Sequence, residues 1–311
     1  MPTLQKSVAK SLAVHNVWHV NSRISKEREE ALGSLIDDDT PSVHDALLAE
    51  FRRLGESGVD ILRNMASAAD GARSAAASQM LEELESASPS LAVINFIERG
   101  DGDLETGAKL ISAAALPRED ASSISRVLDS MAARVESLIE PDSGNMERCK
   151  AINRVMFHEY CFRGISEIED EPGSVVIASV IRRRRGSPLA LSIVYVLVAK
   201  RLGVNLDIVD MPGRVLVLCG DNAGENAPFY VDAFERGAFR HVDQILEILR
   251  KNDIEPERIW FEPLDDFQVL YLCCRVLAAQ FEERAHKTRA GLFNRFVSAY
   301  EKQLGGTQWH P

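Results

Sequence analysis

The residues of this chain with chemistry to offer gather between positions 158 and 232. Cys161 follows His158 by three residues, and Cys219 closes an apolar run that opens with Arg214. A thiol becomes a nucleophile when a nearby histidine takes its proton, so Cys161 or Cys219 with His158 is a candidate pair for amide or peptide chemistry. The competing reading makes such isolated cysteines inert packing groups. Arg214 and Asp232 lie on neighbouring apolar runs. Arginine is no base near neutral pH, yet its fork holds a carboxylate or a phosphate. Either these two pair, or one or both face solvent; strand register decides, and sequence does not fix it. Arg182-Arg183-Arg184-Arg185 precedes Gly186-Ser187-Pro188. That run reads as an anion-binding rim ahead of a helix N-terminus, or as a solvated helix end favoured by the dipole of the helix it closes.

The elements that must position these groups follow from pattern. An apolar helix is expected from Gly186 to Leu202, with a Ser-Pro start suited to its first turn. Three strands follow, Leu206 to Asp210, Arg214 to Cys219 and Phe229 to Ala233, split by Met211-Pro212-Gly213 and by a turn from Gly220 to Pro228. Ahead of them stand helices from Leu91, around Asp103 to Leu110, from Ala121 to Ile139, from Cys149 to Tyr160 and from Val175 to Arg183, with an irregular segment from Gly164 to Gly173. His241 sits at the start of a Val242-to-Leu249 helix, where capping or solvent exposure is its use. Helices first and an antiparallel meander after them give an α+β domain. Two amphipathic helices, Asp266 to Arg284 and Thr288 to Gln303, close the chain. Cys273-Cys274 lies among Leu270, Tyr271, Leu272, Val276 and Leu277, a packing pattern.

The first segment, to about Leu84, carries an internal echo. A shift of 29 positions matches Leu32 with Ile61, Ile36 with Met65, Val43 with Ala72, Leu47 with Ala76 and Phe51 with Met80. Each unit reads as a helix pair, Glu27 to Ile36 with Val43 to Leu54 and Val59 to Met65 with Ala69 to Leu84, so the segment resembles two HEAT-like repeats. An unrelated bundle of Ala-rich helices, matching by chance, is the alternative. Ser86-Ala87-Ser88-Pro89-Ser90 reads as a linker.

Composition narrows the function classes. The chain has 311 residues, 45% of them hydrophobic and 27% charged, enough for two or three folded modules. A net charge of −11 opposes general binding to nucleic acid or an anionic membrane. No segment offers the ~20 apolar residues of a membrane span, and the polar-interrupted start at Met1-Pro2-Thr3-Leu4-Gln5-Lys6 fits a cytoplasmic protein. Five cysteines at irregular positions make neither a disulfide framework nor a zinc site, so no metal and no cofactor are expected.

From Leu91 to about Leu304 the chain resembles the transglutaminase-like superfamily, and within it the bacterial SirB-one family. The residues that carry the likeness are Gly186-Ser187-Pro188 at the helix start, Met211-Pro212-Gly213-Arg214-Val215-Leu216-Val217, and Phe229-Tyr230-Val231-Asp232-Ala233-Phe234. In the superfamily's enzymes a Gly-x-Cys opens the helix, a His sits on the next strand and an Asp on the strand after. The resemblance therefore puts Pro188 at the nucleophile position, Arg214 at the base position and Asp232 at the orienting position. Proline has neither nucleophile nor proton, and the SirB-one family commonly carries Gly-x-Pro there. Its asparagines ahead of the helix match Ser174 and Ala178 here, a departure from the family pattern. Ser187, Ser192, Tyr195 and Arg185 are candidate cleft-lining residues.

The resemblance implies a mostly helical α+β protein in three parts. HEAT-like repeats with their linker occupy residues 1–90, a papain-like transglutaminase-like domain with a small antiparallel sheet occupies 91–263, and a tetratricopeptide-like helical hairpin occupies 264–311. It implies a catalytically degenerate interaction or regulatory module with a protein or peptide partner. The alternative is a cysteine-dependent amide or peptide hydrolase or transferase using a relocated thiol.

Overall fold

The computed structural model describes residues 26–38, 40–68, 71–100, 102–165, 171–220 and 228–305. The Met1-to-Lys6 start, most of the Gly220-to-Pro228 turn and part of the Gly164-to-Gly173 segment lie outside them. The chain divides into two compact units, the first ending at Ser88 and the second beginning at Pro89.

In the first unit, α1 (Lys26–Leu35), α2 (Pro41–Leu54), α3 (Glu56–Ala66) and α4 (Gly71–Ala87) follow one another through short breaks. Leu32, Leu47, Phe51, Ile61, Leu62, Ala77 and Met80 are buried between them. Of the residues matched at the 29-residue shift, Leu32 and Ile61 are both buried, as are Phe51 and Met80, while Ala72 is exposed and its match Val43 half-buried. The Ser86-to-Ser90 stretch is not an open linker. Helix α4 runs to Ala87 and α5 (Pro89–Arg99) begins two residues later, so Ser88 alone stands outside a helix. Proline disfavours a helical residue before it and fits the first helical position itself, which places the break there.

The second unit is built around one apolar core. Helices α6 (Leu104–Ala115), α7 (Ser123–Glu136) and α8 (Asn145–Asn153) lead in, and α8 passes into a π-helical turn at Arg154–Glu159. There Tyr160 N–H reaches the Val155 carbonyl at 2.8 Å. Two short strands, β1 (Arg163–Gly164) and β2 (Arg185–Gly186), pair in parallel around α9 (Ile177–Arg183). Then come the central helix α10 (Pro188–Arg201) and the antiparallel meander β3 (Asp207–Met211), β4 (Arg214–Cys219), β5 (Phe229–Asp232) and β6 (Ala238–Arg240). Helices α11 (Val242–Lys251), α12 (Asp266–Glu283) and α13 (Lys287–Gln303) complete the fold.

Helix α10 forms where its sequence dictates. Ser187 caps it by accepting the Ala190 N–H at 3.3 Å, and Pro188 occupies the first turn. The residues that follow, Leu189 through Ala199, are buried on every face, as an all-apolar helix requires. Lys200 and Arg201 close it against its dipole. Helix α12 is started by Asp265 and Gln268, which exchange backbone bonds at 2.7 and 2.9 Å.

The helix pair α12 and α13, expected as a third domain, shares the core of the second unit. Leu270, Leu277, Phe281, Phe293 and Phe296 belong to the same buried cluster as Ile193, Val194 and Val217. Gly107 of α6 shows how close the pair packs: a Cβ there would lie 2.2 Å from Leu270 Cδ1.

Candidate functional site

Between β3 and β4, Met211 faces Arg214 across a two-residue turn, Pro212-Gly213. Proline fixes the first turn position and Gly213, at φ +71°, supplies the left-handed second one, a type II turn. This hairpin tip and the start of α10 border an open cavity of about 390 Å³. Ser187, Pro188 and Leu189 form one wall, Asp210, Met211, Gly213, Arg214 and Val215 a second, and Ile165, Phe234, Val276 and Gln280 the rest.

The structure brings Pro188 and Arg214 to this one cavity. It also answers the register question. Val217 pairs with Val231, which puts Arg214 and Asp232 on the same face of β4 and β5, on the diagonal that a long side chain spans. Arg214 Nη1 donates to Asp232 Oδ2 in a charge-assisted bond, and Asp232 Oδ1 accepts the Glu235 N–H at 3.1 Å. Asp232 is 1% exposed, whereas the Arg214 side chain keeps 32% of its surface.

The other residues expected at a cleft separate. Ser187 lines the cavity. Ser192 and Tyr195 do not: both lie further along α10, where no face reaches open space, and the Tyr195 hydroxyl donates to the Cys149 carbonyl at 3.1 Å. Arg185 is half-buried on β2, beside Arg163. The arginine run closes α9, with Arg182 and Arg183 in its last turn and Arg182 exposed, and its side chains are engaged by neighbours. Arg182 is held by Glu119 at 2.6 Å and Arg183 pairs with Glu171. Arg184, left-handed at φ 58°, donates to the Tyr160 carbonyl at 2.8 Å and lies over the Tyr160 and Phe162 rings.

The thiols lie apart from the cavity wall. Cys161 is exposed, and its Sγ donates to the His158 main-chain carbonyl at 3.4 Å. Among the described residues no bond joins it to the His158 ring. Cys219 is buried, with the Asn145 amide 3.7 Å from its Sγ, and burial raises its thiol above the ordinary range. Burial pushes Cys149 and Cys273 up to about 12.

One group at the cavity escaped sequence reasoning altogether. Asp210 stands in the apolar run Asp207-Ile208-Val209-Asp210-Met211, half-buried, and burial lifts its carboxyl to about 6 against a partial offset from Arg275. The signal available was an acidic residue inside a strand. Val276 and Gln280, from α12, gave none.

Residues 122–275 match the transglutaminase-like superfamily model. The transglutaminase-like domain so defined contains α7 through most of α12, and with them Pro188, Arg214 and Asp232; Val276 and Gln280 lie just past its end. A UPF0162 protein of Xylella fastidiosa is 31% identical over 114 residues, 37% of this chain and 41% of that protein. A UPF0162 protein of Pseudomonas aeruginosa is 28% identical over 132 residues, 42% of this chain and 47% of its own. F-box only protein 21 of Mus musculus is 32% identical over 92 residues, 28% of this chain and 15% of that protein. The chain thus spans less than half the length of the curated relatives it matches. No solved structure matches it. Among the described residues no helix is long and apolar enough to cross a membrane.

Proposed function

We propose that this protein is a noncatalytic member of the transglutaminase-like superfamily, of the SirB-one type, that binds through the cavity at the degenerate thiol-enzyme positions. One observation carries the reading. Pro188 and Arg214, which the resemblance puts at the nucleophile and base positions, line one cavity, and Arg214 is engaged by Asp232. Proline has no group that attacks an amide carbonyl, and an arginine cannot accept a nucleophile's proton near neutral pH. The placement of Cys161 Sγ on a main-chain carbonyl, and of Cys219 in the core, supports the same conclusion.

The flanking helices supply the second half of the proposal. HEAT-like pairs in the first unit and the tetratricopeptide-like pair α12–α13 are surfaces for a protein or peptide partner. The net charge of −11 supports a protein partner over general binding to nucleic acid. Five unpaired thiols suit the reducing cytoplasm.

The test is co-purification with identification of bound proteins, run on the wild type and on Val276→Phe, which fills the cavity. A partner retained by the wild type and lost with Val276→Phe is the expected result. Cysteine-dependent turnover of an amide or peptide overturns the reading in favour of a relocated thiol.

A further inference from the structure

The cavity contains one ionisable group that no contact among the described residues neutralises. Asp210 lines it, and among the described residues its carboxyl makes no hydrogen bond and no ion pair. The other charged residue of the wall, Arg214, is held by Asp232. Arg275 acts on Asp210 from a distance, from a position over the Tyr271 ring 5.7 Å from its centroid. Ser187 and Gln280 are the neutral polar side chains of the wall, and no further titratable residue lines it among the described residues. Pro188, Leu189, Met211, Val215, Phe234 and Val276 make the remainder apolar.

A carboxylate set in an apolar wall without a partner is costly unless something that enters the site neutralises it. Apolar pockets with a few placed polar groups are the usual form of small-ligand sites. Resting on the reading of this cavity as a binding site, we propose that it takes a small organic cation: an ammonium or guanidinium on an apolar stem, with the charge against Asp210 and the stem against Leu189, Val215 and Val276. A volume of about 390 Å³ suits a single side chain or a small free amine, and is too small for a folded segment. The source is therefore either a free alkyl cation or a Lys or Arg side chain of a partner.

Binding is also tied to protons. The carboxyl at about 6 must ionise to meet a cation, so binding near pH 6 releases a proton from Asp210.

The experiment is an NMR shift titration of the full chain with n-butylammonium and with neutral n-butanol, on the wild type, Asp210→Asn and Val276→Phe. The wild type is expected to bind n-butylammonium at least about tenfold more tightly than n-butanol, the scale of one charge-assisted hydrogen bond. Asp210→Asn erases that preference and Val276→Phe abolishes both. Calorimetry at pH 6 in buffers of different ionisation enthalpy reads the proton released. If Asp210→Asn binds n-butylammonium as tightly as the wild type, or if no probe binds the wild type, the proposal is overturned. If both probes bind alike and both are lost with Val276→Phe, the cation falls while the cavity's role as a binding site stands. A lysine-bearing peptide in the same titration separates the sources: tighter binding than the free amine assigns a partner side chain, equal or weaker binding a free cation.

Discussion

Arg214 on β4 and Asp232 on β5 form a one-sided pair: the carboxylate is buried, and the guanidinium keeps about a third of its surface in solvent. Removing either partner therefore has unequal consequences. Arg214→Met leaves a buried, uncompensated charge and costs about 3–5 kcal/mol. Asp232→Asn leaves an arginine that water still reaches and costs roughly 1–2 kcal/mol. Urea unfolding of the two variants checks this, and equal losses would show that the pair does not sit as described.

Asp210 gives a pH signature of its own. Its carboxyl is raised from 3.8 to about 6, so the folded chain holds this proton more tightly than the unfolded chain does. The stability it contributes is complete below about pH 4 and is lost as pH rises to 6. Asp210→Asn should then stabilise the protein at pH 7.5 by roughly 1–3 kcal/mol and make little difference at pH 4. Denaturant melts at the two pH values read the difference, and a constant offset would contradict it.

The five cysteines should label unequally. Cys161 is exposed, whereas Cys149, Cys219, Cys273 and Cys274 are buried with thiols raised by burial. A disulfide reagent added to the native protein should titrate one thiol quickly and the rest only on unfolding. Rapid loss of two or more would show a second accessible cysteine.

Gly107→Ala tests whether the C-terminal helix pair belongs to the second unit's core. The new Cβ would fall 2.2 Å from Cδ1 and 3.1 Å from Cγ of Leu270, a fully buried side chain. A loss of about 1–3 kcal/mol in a single cooperative transition is expected. Melting of the helix pair alone, with the rest unaffected, would mean that the pair is a separate domain.

What the sequence made legible was local. Ser187-Pro188 announces the start of α10, Asp265 with Gln268 that of α12, and Pro212-Gly213 the hairpin between β3 and β4; each is set by neighbouring residues. Arg214 and Asp232 could be named as the residues that matter, yet their contact depended on a ladder register that no local pattern encodes. The short strands β1, β2 and β6 are too brief to show a period-two pattern. Ser192 and Tyr195 share a helix with the cavity residues, but burial on every face leaves only the first turn at the site. Val276 and Gln280 come to the cavity because α12 packs back across the unit, a long-range contact. Ser86 to Ser90 has linker composition, and the fold still keeps all but Ser88 helical.

The measurement that bears most directly on the noncatalytic cavity is a turnover assay: amide hydrolysis and amine transfer over a panel of peptide and amide substrates, on the wild type, Cys161→Ala and Cys219→Ala. The expected result is no turnover above background in any of the three. Robust turnover by the wild type that disappears with Cys161→Ala or Cys219→Ala would contradict it.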